Sequence, residues 1–284
     1  MTIYCFGSIN LDHTYRVPHI PAPGETLAAI SHATGLGGKG ANQSVAAARA
    51  GATVRHIGAV GPDGGWAVGQ LAGYGVDTAH IATVAAATGH AIIAVDDRGE
   101  NAIVIHPGAN RAQSPAAIAA ALATARPGDT LLIQNETDRQ AEAAAQAAAL
   151  GLRVIYAAAP FEAAAAAAVL PHAAILILNA IEAAQLAASG IAPACTMVVT
   201  RGAEGADWIA PGQPSLRVAA FPVTPTDTTG AGDCFTGTLA AALDAGLPAA
   251  EAMRRAAAAA AIQVTRPGTA QAMPTAAEVD ALLA

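Results

Sequence analysis

Hydrophobic residues along this chain collect into short runs. TIYCFG (2–7), 53–60, TLLIQ (130–134), LRVIY (152–156), AAILIL (173–178) and TMVVT (196–200) are apolar stretches of strand length bounded by turn residues. Continuous apolar runs of that length read as strands buried on both faces. Alanine-dense segments, including 141–149 and 163–169, separate the later runs, and alanine is the strongest helix former. Ser114-Pro115 reads as an N-cap and an N1 proline at the head of another helix. Residues 41–50 have helix-forming content and stop at Gly51, a C′ glycine. Two more extended runs, around 206–209 and 216–221, precede a long helical pair over 231–263. Strands alternating with helices predict a parallel sheet wound with helices.

Two stretches depart from that alternation. Residues 12–34 are polar, with Pro18, Pro21 and Pro23, and leave the core. HAIIAVDDRGENAIVIH (90–106) is two apolar runs around a polar loop, a hairpin signal. The chain therefore reads as one α/β domain over 1–284 carrying a small β excursion from about 12–34 and 90–106. Open parallel sheets bind ligands beyond the carboxyl ends of their strands. A flap there would keep water from a transferable group.

Composition narrows the partners. With 54% hydrophobic residues and 12% charged ones, the chain is a packed globular protein. A net charge of −7 without a basic block argues against nucleic acid or an anionic membrane surface as partner. The alanine tract at 256–262 is shorter than the roughly 20 residues a membrane span needs. The N-terminus has no basic region and reaches Asp12 before a signal-length apolar stretch is complete. Cys5, Cys195 and Cys234, without a C-x-x-C, fit a reducing cytoplasm. The eight histidines show no metal-ligand spacing.

Two loops carry candidate chemistry. In ATGLGGKGANQS (33–44), Gly35, Gly37 and Gly40 spell G-x-G-x-x-G, the dinucleotide fingerprint of a nicotinamide-dependent oxidoreductase. That reading wants the glycines directly after the first strand, and they arrive some thirty residues later. A phosphate-binding P-loop fails because Lys39 is followed by Gly40 rather than Ser or Thr. What remains is a glycine-dense backbone open to close approach, with Lys39 as donor and Asn42 as donor and acceptor. In DTTGAGD (227–233), Gly230, Ala231 and Gly232 place small residues at a helix N-terminus, where free N–H groups and the helix dipole favour negative charge. Asp233 beside them can accept a proton from an attacking hydroxyl. The same letters also suit a helix capped by Asp227, with Asp233 merely complementing the dipole.

GGKGAN and DTTGAGD together, with GSINLD (7–12), PAPGET (21–26), IHPGAN (105–110), NAIEA (179–183), TRGAEGA (200–206) and AAAIQVTRPG (259–268) in the same order and spacing, resemble the ribokinase, or phosphofructokinase-B type, carbohydrate kinases. The resemblance spans essentially the whole chain. It implies a three-layer α/β/α sandwich with a mainly parallel central sheet and a small β-sheet lid. It implies transfer of phosphate from ATP, with magnesium, to a primary hydroxyl of a small sugar, ribose first, giving ribose 5-phosphate. Another sugar or a nucleoside stands as the alternative within the class. It also implies a homodimer formed through the lid.

Residue by residue, the resemblance implies that Asn10, Asp12, Gly38, Lys39, Asn42 and Glu136 meet the sugar. Asp233 would be the catalytic base, with Gly230, Ala231 and Gly232 as the anion hole. Asn179 and Glu182 would organise magnesium and phosphate, Glu182 through water. Thr200, Gly202 and Gly205 would lie along ATP. Asp227 and Thr229, with backbone near Arg266 and Gly268, would surround a monovalent cation such as potassium. The chain departs from the family at Ala180, where Glu is common, and at YAAAP (156–160), where an Asn-Pro pair is usual. Ala257 stands where His or Asn often meets adenine, and Ala272 where a serine helps hold the cation.

Overall fold

The computed structural model describes residues 1–284. Its first strand, β1 (Thr2–Phe6), explains the layering. Ile3 and Cys5 enter one hydrophobic core, while Tyr4 and Phe6 enter another on the opposite face. This is the alternation of a strand covered on both sides. The same division recurs in β8 (Thr130–Ile133) and β10 (Ile175–Asn179): Leu132, Ile175 and Ile177 face the first core, and Leu131, Ile133, Leu176 and Leu178 the second.

The first core is closed by α1 (Lys39–Arg49), α2 (Gly65–Gly73), α7 (Ala231–Asp244), α8 (Ala249–Gln263) and α9 (Ala276–Leu283). The second is closed by α3 (Pro115–Leu122), α4 (Gln140–Ala149), α5 (Ala163–Val169) and α6 (Ala180–Ser189). The expected three-layer sandwich is thus realised, and the alanine tracts are the helix faces that pack on the sheet.

The remaining strands of the large sheet are β4 (Thr53–Val60), β5 (Asp77–Thr83), β9 (Arg153–Ala157), β11 (Thr196–Thr200), β12 (Ala206–Ile209) and β13 (Leu216–Val218). The order is β13-β12-β11-β10-β9-β8-β1-β4-β5. Pairs from β5 to β11 are parallel, and β12 and β13 join antiparallel. From β1 the chain builds toward β4 and β5, then resumes on the other side with β8. The crevice between the carboxyl ends of β1 and β8 is therefore the topological switch point, where such sheets take their ligands.

The polar stretch and the hairpin form a second sheet of four strands, ordered β3-β2-β6-β7: β2 (Asn10–Arg16), β3 (Ser31–Gly37), β6 (Gly89–Val95) and β7 (Asn101–His106). The hairpin β6–β7 is antiparallel, and β2 joins it in parallel through β6. Sequence patterning left α2 and β5 unassigned: α2 is interrupted by glycines and β5 mixes polar with half-buried apolar positions.

Helices α1 and α7 cross at closest approach where Gly237 meets the backbone of α1. A Cβ on Gly237 would lie 2.4 Å from the Gln43 carbonyl oxygen and 2.7 Å from Ala46 Cβ. Gly237→Ala is expected to destabilise the protein: overpacking costs about 1–3 kcal/mol, against about 1 kcal/mol gained in helix propensity. Gly69→Ala, inside α2 with nothing within 4 Å of the added Cβ, is expected to stabilise by up to about 1 kcal/mol. Urea unfolding midpoints of the two variants should move in opposite directions.

Candidate active site

The switch point is held by one carboxylate. Ser8, just past β1, donates its hydroxyl to Glu136 Oε2 at 2.6 Å, and Glu136 follows β8. The same oxygen accepts the Lys39 backbone N–H at 2.9 Å. Helix α1 has no side-chain cap of its own; its N-cap is Gly38, at φ 89°. Glu136 thus supplies the negative charge that a helix N-terminus favours. The third glycine of the fingerprint, Gly40, is where α1 presses on the turn after β1: a Cβ there would sit 2.5 Å from Gly7 C and Ser8 N. Gly35 and Gly37 lie in β3, opposite Asp12 and Asn10. The dinucleotide reading therefore fails on topology: Gly35 and Gly37 lie within a strand of the smaller sheet rather than after β1, and Gly37 and Gly40 serve close packing.

Asp12 reaches the site from β2. A Cβ on Gly37 would lie 2.0 Å from its carboxylate, so the bare glycine makes room for it. Burial, and secondarily the Glu136 carboxylate, push the Asp12 carboxyl up to about 6. Asn10 is buried and accepts from Asn110 Nδ2 at 2.7 Å. Asn110 in turn accepts the Ile9 N–H at 2.9 Å. The residue closing IHPGAN thereby ties the smaller sheet to the large one.

Asp233, in the first turn of α7, is buried and held at both oxygens. Asn42 Nδ2 donates to Oδ2 at 3.0 Å and Gln43 Nε2 to Oδ1 at 2.9 Å. Gln43 is fixed in that orientation by Gln134, whose Nε2 donates to Gln43 Oε1 at 2.7 Å. Asn42 Oδ1 is buried without a protein partner, an acceptor open to a substrate hydroxyl. Each carboxylate oxygen of Asp233 has a second lone pair to offer a proton. Gly230 N-caps α7 in the left-handed conformation, φ 80°, and no side chain caps the helix. Ala231 N–H turns back to the Thr228 carbonyl at 3.3 Å.

A single cavity brings together Lys39, Gln43, Asn179, Glu182, Thr200, Thr228, Gly230, Ala231, Gly232 and Asp233. Its walls are the carboxyl ends of β9, β10 and β11 and the N-terminus of α7. The Asp233 carboxylate, followed by Glu136 and Glu182, holds the Lys39 ammonium above its ordinary range, against the opposing effect of burial. Lys39 therefore stays charged beside the site where phosphate would develop charge. Asn179 and Glu182 form a capping box for α6: Asn179 Oδ1 accepts Glu182 N–H and Glu182 Oε2 accepts Asn179 N–H, each at 2.8 Å. The capping role and the cavity-lining role coexist, since Glu182 Oε1 is not used by the cap. Burial raises the Glu182 carboxyl, the environment in which a cation is a favourable neighbour. Thr200 ends β11 and lines the cavity; Gly202 and Gly205 lie beyond its wall. Gly205, at φ 96°, stands where a Cβ would strike the Val218 carbonyl at 2.0 Å.

The residues assigned to a monovalent cation cluster behind Gly230. Asp227 Oδ1 accepts Thr229 N–H and Oδ2 accepts Gly268 N–H, each at 2.9 Å. Gln263, wholly buried at the end of α8, points its Nε2 at two carbonyls, Thr229 O at 2.8 Å and Gly268 O at 3.1 Å. Arg266 is turned to Glu278, at 2.6 Å. Sequence reasoning missed Ser8, Gln43, Asn110, Gln134 and Gln263. Ser8, Gln43 and Gln134 find their partners 91 to 190 positions away, and Gln263 joins Thr229, 34 positions back, to Gly268. Ser8, Asn110 and Gln263 lay inside quoted motifs and drew no role.

The pfkB family carbohydrate kinase model matches residues 2–276. A ribokinase of Haemophilus influenzae is 37% identical over 302 aligned positions, covering 96% of this chain and 95% of that protein. A Cryptococcus neoformans ribokinase solved with ADP superposes with a TM-score of 0.87 at 31% identity, covering 99% of each chain. An Arabidopsis thaliana ribokinase complexed with ribose and ATP superposes at 0.88 with 27% identity, covering 99% of this chain and 98% of that one. With the family model matched over residues 2–276 and a relative 37% identical over 96% of the chain, this chain belongs to the pfkB family of carbohydrate kinases.

Proposed function

We propose that the protein transfers the γ-phosphoryl group of ATP to the primary hydroxyl of ribose. The observation that carries this is Asp233, buried, aimed by two amides, and seated in the first turn of an uncapped helix. In the step proposed, the sugar O–H proton passes to an Asp233 oxygen while that hydroxyl oxygen bonds to the γ-phosphorus. The bond from phosphorus to the β–γ bridging oxygen breaks, and ADP leaves. Positioning and charge stabilisation dominate such transfers. Gly230, Ala231 and Gly232 at the start of α7, with Lys39, offer that charge. Asp12, Asn42 and Glu136 supply acceptors for neighbouring sugar hydroxyls, and Asn10 and Gly38 shape the same wall. Thr200, Gly202 and Gly205 are assigned to the nucleotide side. Magnesium fits the uncommitted Glu182 oxygen through water, beside Asn179, and would neutralise phosphate charge there.

A homodimer is the reading for assembly. Strand β7 is the edge of the smaller sheet, and Ile103, Val104 and Ile105 on it are 51%, 70% and 61% exposed. An apolar edge of that kind favours pairing with a second copy. No helix is long and apolar enough to cross a membrane. The three free thiols and the net charge of −7 support a cytoplasmic protein without nucleic-acid partners.

A coupled ADP-release assay over pentoses, hexoses and nucleosides is expected to give its highest kcat/KM with ribose. Asp233→Asn is expected to lower that turnover at least about a hundredfold, with the circular dichroism spectrum retained. Absence of ADP with every acceptor, or ordinary turnover in the variant, contradicts the assignment. A pH dependence follows from Asp12. Its carboxyl lies above the ordinary 3.8, at about 6. The folded chain therefore keeps this proton longer than the unfolded one, and ionisation costs stability as the pH rises from about 4 to about 6. Sugar binding uses the ionised form, so KM for ribose should rise below pH of about 6, approaching about tenfold per unit. Asp12→Asn should weaken binding and flatten that slope; an unchanged slope removes Asp12 from sugar recognition.

A further inference from the structure

We propose that Gln263 stands in for the monovalent cation, so that this kinase works without potassium. Four of the oxygens that would face the cation already meet a protein N–H. Thr229 O and Gly268 O share the Gln263 amide, and both Asp227 oxygens accept backbone N–H groups. Gln263 O accepts Arg266 N–H at 3.0 Å, and Val264 O accepts Thr226 N–H at 2.7 Å. Ala272, buried beside this cluster, brings no side-chain oxygen. With the Gln263 amide nitrogen seated between two of these carbonyls, the arrangement present does not fit a cation as well.

The Nε2 position makes the substitution specific. It lies 2.8 and 3.1 Å from two carbonyl oxygens of different segments, the range in which such oxygens also hold a potassium ion. Its two N–H bonds deliver partial positive charge to both. Thr229 O belongs to the peptide that leads into Gly230, so the amide fixes the entry to α7 from behind. Gln263 is thus a positioning residue for the anion hole, acting through the 229–230 backbone and touching no substrate.

The amide orientation is not arbitrary. Gln263 Oε1 is buried and has no partner. Leaving it so costs free energy, and a flip would do worse by placing a third oxygen against two carbonyls. Only a cation between them would stabilise the flipped form. The site therefore has two exclusive solutions, amide nitrogen or bound ion, and this chain adopts the first. The reading rests on the proposed kinase activity for its rate measurement but not for its binding measurement.

The test compares wild type, Gln263→Ala, Gln263→Glu and Gln263→Ala/Ala272→Ser in potassium chloride and in choline chloride at matched ionic strength. Wild-type kcat should be the same in both salts, and so should its thermal midpoint without sugar or ATP. Gln263→Glu, of similar volume, points an anion at two carbonyls. It and the double variant should lose about tenfold in kcat in choline, the fold-change of one net hydrogen bond. Potassium should restore the rate and raise the midpoint as a ligand of the native state does. Potassium stimulation or thermal stabilisation of the wild type overturns the proposal. So do variants that match wild type in choline, and so does a loss that potassium does not restore in the double variant. The midpoint series decides the matter even if no sugar is turned over.

Discussion

The junction of α1 with α7 is the constraint on which this molecule turns. A buried carboxylate must find hydrogen bonds or shed its charge, and Asp233 finds two amides on consecutive residues of α1. That requires the helices to approach until backbone meets backbone, which the missing side chain of Gly237 permits. It also requires α1 to start at one defined point, which Glu136 sets by receiving its first N–H. Charge position, helix packing and loop geometry are thus one problem with one solution.

Electrostatic balance extends the same logic across the site. Asp233, Glu136 and Glu182 reinforce the charge of one cation, Lys39, and Asp12 feels the Glu136 carboxylate. Asp12 is the least compensated, and burial leaves its proton held to about 6. In the function proposed, this excess of carboxylates over ammonium gives the hydroxyls of a neutral sugar acceptors to donate to. The same proposal assigns phosphate charge separately, to backbone at the head of α7 and to Lys39.

In the reading proposed for the cluster behind Gly230, a neutral side chain serves in place of an ion. An amide donor and a small cation both satisfy converging carbonyls. The amide is covalently supplied, so its cost is met during folding rather than by mass action. Gln263 pays with one orphaned oxygen.

Periodicity and local chemistry were enough for the wound sheet, the hairpin at 90–106, the helical pair over 231–263 and the two glycine-bearing loops, because each is written in contiguous residues. The assignment of Asp233 and of Asn42 to one site was legible from paired motifs. Their mutual hydrogen bond was not, since 191 positions separate them. Gln43, Gln134 and Gln263 could not be singled out in advance. A glutamine carries no local signature, and it acquires a role only when the fold brings a carboxylate or two carbonyls to its amide. The meaning of the glycines changed for the same reason: what read as room for a ligand is, at Gly40, room for the turn after β1. Short-range patterns are set by neighbours in the chain, whereas a buried polar group takes its function from whatever packing leaves within hydrogen-bond reach.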